Sequence, residues 1–161
     1  MEHEAAGILG ALERSAWGDI VRGSPLLYPV ANTLHVVAVL AFFACVAAMD
    51  FRLLGWLRGE SAAGVIARLR PFAVAALVMI LATGFILFSP EATAIIGNPA
   101  FRLKLVAIAA AIANVAWLER RYGALLRGDA MAVPSGARAA ALASLGLWLL
   151  AAACGRFIAY L

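Results

Sequence analysis

The chain has 161 residues, 65% of them hydrophobic and 14% charged, with a formal net charge of +4 and a mean hydropathy of +0.96. Soluble domains carry about 25% charged and about 45–50% apolar residues, so this composition excludes an ordinary cytoplasmic globule, a disordered chain and a disulfide scaffold. Twelve of the thirteen basic residues are arginines scattered between long apolar stretches, and no basic run with interleaved aromatics points to nucleic acid.

Residues 1–24 lack the cationic start and continuous apolar core of a secretory signal, yet they keep a helical period. Ile8, Leu9, Leu12, Ala16, Trp17, Ile20 and Val21 form one stripe, while Glu4, Glu13, Arg14 and Asp19 fall mostly elsewhere. This predicts one amphipathic helix over residues 4–22, lying in the membrane interface and ended by Gly23-Ser24-Pro25. Residues 25–161 then hold four apolar spans, at about 26–49, 72–88, 100–118 and 137–160. Pro25 or Pro29 falls in the first turn of span one, Pro71 enters span two and Ser89-Pro90 closes it. Asn98-Pro99 supplies an N-cap and an N1 proline to span three, and Pro134-Ser135-Gly136 precedes span four. Each span is long enough to cross about 30 Å of hydrocarbon at about 1.5 Å per residue. Residues 59–70 read as a second interfacial helix, and Asp50 with Arg52 as a capping and anchoring pair closing span one. The expected fold class is all-α: a polytopic four-transmembrane-helix bundle with an N-terminal amphipathic interfacial helix. Alanine-rich spans three and four suit tight helix contacts, in a homo-oligomer or within a larger membrane complex.

Arginine and lysine set the expected topology. Arg52, Arg58, Arg68, Arg70, Arg120, Arg121, Arg127 and Arg138 lie between spans one and two or three and four, whereas Arg14, Arg22, Arg102, Lys104 and Arg156 lie on the other side. Eight against five predicts that both termini face outward, periplasmic for a protein of the bacterial cytoplasmic (inner) membrane.

Polar residues at membrane depth are functional candidates by default. Span one carries Asn32 and His35, on one face with Tyr28, Val39 and Phe42. Span three carries Arg102, Asn114 and Lys104, the single lysine, and span four carries Arg156. At about 1.5 Å per residue His35, Lys104 and Arg156 all fall in the outer half of the bilayer. A buried histidine, nearby cations and an apolar sleeve suit a b-type haem: imidazole as axial ligand, Arg or Lys on the propionates, aromatics such as Phe42, Phe85, Phe88, Phe101 and Trp148 against the macrocycle. The blander reading is a histidine that only hydrogen-bonds a neighbouring helix. Arg102 has its own bland reading as a snorkelling side chain, being about 200° from Lys104 around the helix, and Arg156 as a complement to a helix C-terminus. The second axial position stays open between Met79, Lys104 as a neutral amine, His3 and five-coordinate iron. Cys45 and Cys154 fall near opposite membrane faces, which argues against a disulfide or a two-thiolate metal site.

The segment NTLHVVAVLAFFACVAAMDFRLLG (residues 32–55), TGFILFSP (83–90), NPAFRLKL (98–105) and the terminal GRFIAYL resemble a bacterial family of small four-helix membrane proteins of unknown function. That family in turn resembles the CopD-like copper-resistance proteins and the HemJ-type protoporphyrinogen oxidases. The resemblance covers roughly residues 25–161. It implies haem as cofactor and a functional pair of span-one histidine and span-three lysine, His35 and Lys104. The leading expectation is a haem b protein doing electron transfer or oxidoreductase chemistry near the outer membrane face, with a quinone, a porphyrinogen or a protein as redox partner. There His35 ligates iron, Lys104 acts on propionate or on substrate, and Tyr28, Asn32, Arg102 and Arg156 help to hold the cofactor. A non-catalytic accessory subunit is the alternative, and a metal-ion or small-solute permease the weaker one, since the spans show no intramembrane acid.

Overall fold

The computed structural model describes residues 2–56, 59–128 and 132–160; for residues 2–6 and 125 it describes the backbone alone. Among the described residues the fold is all-helical, in the order α1 (Glu2–Glu13), α2 (Ala16–Gly23), α3 (Leu27–Leu54), α4 (Ala62–Phe88), a 3-10 turn (Ser89–Glu91), α5 (Ala92–Gly97), α6 (Pro99–Arg127) and α7 (Ser135–Phe157). Four helices are long and apolar enough to cross a membrane: α3, α4, α6 and α7. The chain is a multi-pass membrane protein.

The four spans run up and down. α3 packs extensively on α4 and also on α7, α6 packs on α7, and α4 meets α6 only sparsely, so every neighbouring pair is antiparallel. In lipid, apolar area gives little drive for helices to associate, and close approach of small residues takes its place. The buried set shows this directly: Ala31, Ala38, Ala107, Ala111, Ala140 and Ala151 are all at most 6% exposed. Large apolar side chains such as Val37, Leu40, Val78 and Val106 point outward, where lipid is the solvent.

One end of the bundle is capped by α1, α2, the 3-10 turn and α5; the opposite end carries the α3–α4 and α6–α7 connections. The N-terminal segment, expected as one helix, breaks into two. Ser15 is the reason: its backbone is extended, and its Oγ accepts from the Gly18 amide at 3.2 Å, starting α2 afresh. Gly18 is needed there, because a Cβ would run into the carbonyls of Leu12 and Glu13. Trp17 Nε1 then donates to the fully buried Ser89 Oγ at 3.2 Å, and Arg22 donates to the Pro90 carbonyl at 3.2 Å. Glu13 accepts from the Thr93 amide at 2.9 Å and the Thr93 hydroxyl at 2.7 Å. Asn98 caps α6 as expected, its Oδ1 accepting from the Ala100 amide at 2.9 Å, while its Nδ2 donates to the Ile158 carbonyl.

The expected separate helix over residues 59–70 is instead the first third of α4, which runs unbroken through Pro71. Proline forfeits one intrahelical hydrogen bond, and the helix keeps going because Ser61 caps it, Oγ accepting from the Gly64 amide at 3.0 Å, and because Val65 and Ile66 are buried. Asp50 and Arg52 are not a pair. About 200° separates them around α3. Arg52 Nε donates outward to the Glu60 carbonyl at 2.5 Å, while Asp50 is 5% exposed and faces Ser144 of α7. The expectation that the spans hold no intramembrane acid is thereby corrected.

Candidate functional site

All four spans contribute to one polar cluster in the capped half of the bundle. From α3 comes His35, half-buried, whose Nδ1 lies 2.9 Å from Oγ1 of Thr83 on α4. Thr83 is 4% exposed, and its hydroxyl donates back to the Met79 carbonyl at 2.6 Å. A hydroxyl has one proton. With that proton committed to Met79, Oγ1 receives the Nδ1 proton of His35, whose ring also meets the Ile80 carbonyl, and in the neutral imidazole Nε2 keeps its lone pair. A Cβ added at Gly84 would stand 3.4 Å from His35 Cε1, so the ring rests against bare α4 backbone.

Lys104 of α6 completes the cluster. Its ammonium is close enough to act electrostatically on the His35 imidazole and to feel the buried Cys154 thiol of α7. A Cβ at Gly155 would come within 3.3 Å of Lys104 Nζ, so the glycine leaves the ammonium its room. Among the described residues no carboxylate pairs with Lys104. A half-buried cation in a span without a counter-charge is a place for an anionic group. Phe88 and Phe101 stack at 5.5 Å on the capped side of this cluster, and Phe42 meets Trp148 edge-on at 4.6 Å below it.

The structure does not gather every residue expected at the site. Tyr28 is 44% exposed and Asn32 is exposed, both on the outer surface of α3. Met79 is 45% exposed; its side chain points away and only its carbonyl takes part. Arg102 is exposed and donates to the Ile96 carbonyl at 2.9 Å, the snorkelling role. Arg156 binds the Tyr160 hydroxyl and lies 4.5 Å over the Tyr160 ring. The His3 side chain lies outside the described residues.

A family model matches residues 12–161, nearly the whole chain. The chain belongs to the family of unknown function DUF6644. The matched stretch takes in α2, all four spans and every residue of the polar cluster. None of the curated proteins and none of the solved structures compared matches this DUF6644 chain.

Thr83, Gly84 and Gly155 escaped the sequence reading as site residues, and Cys154 was weighed only as a partner for Cys45. The signal available for Thr83 and Gly84 was their place in the TGFILFSP segment, and for Gly155 its adjacency to Arg156. In this DUF6644 protein, then, the His35 imidazole is oriented by Thr83, the Lys104 ammonium has no carboxylate partner among the described residues, and along the helices both fall between the Phe88–Phe101 and Phe42–Trp148 pairs. Such a pair can ligate a metal and hold an acidic substituent beside it. Among the described residues no group of three or more His, Cys, Asp or Glu side chains converges to hold a bare ion.

Proposed function

We propose that this protein binds one haem b per protomer, with His35 as axial ligand through Nε2, and that it carries out electron transfer or oxidoreduction in the outer half of the membrane. One observation carries the reading: Thr83 takes the Nδ1 proton while its own is held by Met79. Metal-ligating histidines nearly always donate the other ring N–H in this way, which fixes ring orientation and raises basicity. Lys104 supports the reading as the unpaired cation for a propionate. When bound, haem supplies a one-electron couple; the chain orients the imidazole, neutralises the acidic substituent and keeps water out. With Met79 turned outward, His35 is the axial ligand proposed from the protomer. The excess of arginine at the uncapped end, eight residues against five, supports placing that end in the cytoplasm and both termini in the periplasm of a bacterial inner membrane.

The test is an oxidised-minus-reduced visible spectrum of detergent-purified protein, with a pyridine haemochrome assay for stoichiometry. A b-type spectrum near one haem per protomer, lost in His35→Ala, is expected. A preparation that stays colourless after haem addition overturns the reading and leaves the accessory-subunit alternative, which co-purification with a larger assembly would then show.

A further inference from the structure

A second polar site lies in the uncapped half of the bundle, fifteen residues or about 22 Å along α3 from His35. Asp50 is 5% exposed there, and its carboxyl faces the Ser144 hydroxyl, itself 4% exposed. Asp50 Oδ2 is fully buried without a hydrogen-bond partner. One turn along α7, Trp148 Nε1 is likewise buried and unpartnered. Native interiors rarely leave such atoms unsatisfied, and each calls for an explanation. Here an orphan acceptor and an orphan donor sit on neighbouring turns of one interior seam.

No described charged side chain offsets the carboxyl. Arg52 is turned to the Glu60 carbonyl, Arg68 to Glu60, and Arg70 and Arg127 to Glu119. Arg120 and Arg121 of α6 and Arg138 of α7 are exposed. An ionised carboxylate without a counter-charge is among the costliest things a bundle interior can hold. Either a metal cation or a proton relieves it. Hard cations take about six oxygen ligands, whereas this site offers one carboxylate and one hydroxyl, with an N–H donor beside them. A proton needs a single oxygen. A water molecule, donor and acceptor at once, is the smallest group that satisfies both orphans.

We propose that Asp50, Ser144 and Trp148 form a proton-binding site, in which Asp50 is held as the neutral acid with a water linking its free carboxyl oxygen to the indole N–H. Loading transfers a proton from hydronium to the carboxylate and leaves water; unloading reverses it, with no redox change. Asp50 lies four residues, about 6 Å, from the end of α3, and the buried Leu53, Leu126 and Ala141 pack between it and the uncapped end, so protons reach the site by that short path only as these side chains give way. On the side toward His35, Phe42, Val46 and Ala111 pack with the Trp148 ring and close that direction. The site does not depend on the haem reading.

Infrared spectroscopy of the full chain in lipid nanodiscs at neutral pH tests it. The expected result is an unionised-carboxyl C=O band that downshifts in D2O, moves in Ser144→Ala and Trp148→Phe, and vanishes in Asp50→Asn. Absence of the band from the wild type, or its persistence in Asp50→Asn, overturns the proposal. So does loss of the band on adding Na+, Mg2+ or Ca2+, which would make the ligand a metal, and a band that ignores D2O. Should Asp50→Asn fail to fold, Asp50→Glu serves instead, with a shifted band expected and an unchanged one counting against the site.

Discussion

At the scale of single residues the decisive chemistry is who holds which proton. The Thr83 hydroxyl spends its proton on Met79, which makes His35 the donor at Nδ1 and frees Nε2. Thr83→Val keeps the shape and removes the acceptor, so the ring loses its anchor. Outer-shell changes of this kind typically cost about 10–100-fold in metal affinity, and that is the expected loss in a haem titration; Met79→Leu, altering an outward side chain, should leave the titration unchanged. Lys104→Met should lower haem retention while Lys104→Arg preserves most of it, because a propionate needs the charge. Haem retained in Lys104→Met with turnover lost would instead move Lys104 to the substrate. His35 and Lys104 were legible in the sequence because a titratable group in an apolar run stands out. Asp50 was visible too, but its burial was not: it sits four residues from a helix end, where a capping role is the ordinary expectation. Thr83 and Cys154 look unexceptional in a span, and a helix apolar all round gives no phase to tell its inner face from its lipid face.

At the scale of elements, the capped end is held by polar contacts that answer to pH. Glu13 lies outside the spans, and its bonds to the Thr93 amide and hydroxyl hold its carboxyl below the ordinary value of 4.5. A depressed carboxyl stabilises the folded state above its unfolded pKa, and the contribution is lost as pH falls through the lower folded value. The hold of α1 on α5 should therefore be complete at neutral pH and weaken once pH drops below about 4.5. Hydrogen exchange at the Thr93 amide checks this, with Glu13→Gln flattening the dependence. At the other end Ser61 caps α4, and Ser61→Ala should cost about 1 kcal/mol in a denaturant titration in mixed micelles. The proline punctuation located the spans, and Asn98-Pro99 starts α6 where expected. Pro71 misled because it was read as an entrance: the helix starts about two and a half turns earlier, where Ser61 caps it and Val65 and Ile66 are buried.

For the whole molecule, the question is which way the bundle points, because that decides which solvent each polar site meets. The structure fixes the relative arrangement: Asn98 reaches the Ile158 carbonyl and α1 lies on α5, so both chain ends and the His35–Lys104 cluster share the capped half, while Asp50 shares the other half with the α3–α4 connection. The arginine excess lies at that second end, around Arg68, Arg70, Arg120, Arg121 and Arg127. Several of these are tied to Glu60 and Glu119, but acidic residues count little in orienting a chain, so the basic count prevails. Gly97 at the capped end and Gly59 at the other each have open space where a side chain would stand, which makes them gentle places for a reporter thiol, and native Cys45 and Cys154 lie within the spans. If the bundle is oriented as proposed, a membrane-impermeant maleimide should label Gly97→Cys from the outer side, and should reach Gly59→Cys only after the membrane is opened. The reverse pattern would invert the bundle, putting the histidine cluster against the cytoplasm and the Asp50 site against the outer solvent, and the two proposed sites would then serve the opposite faces.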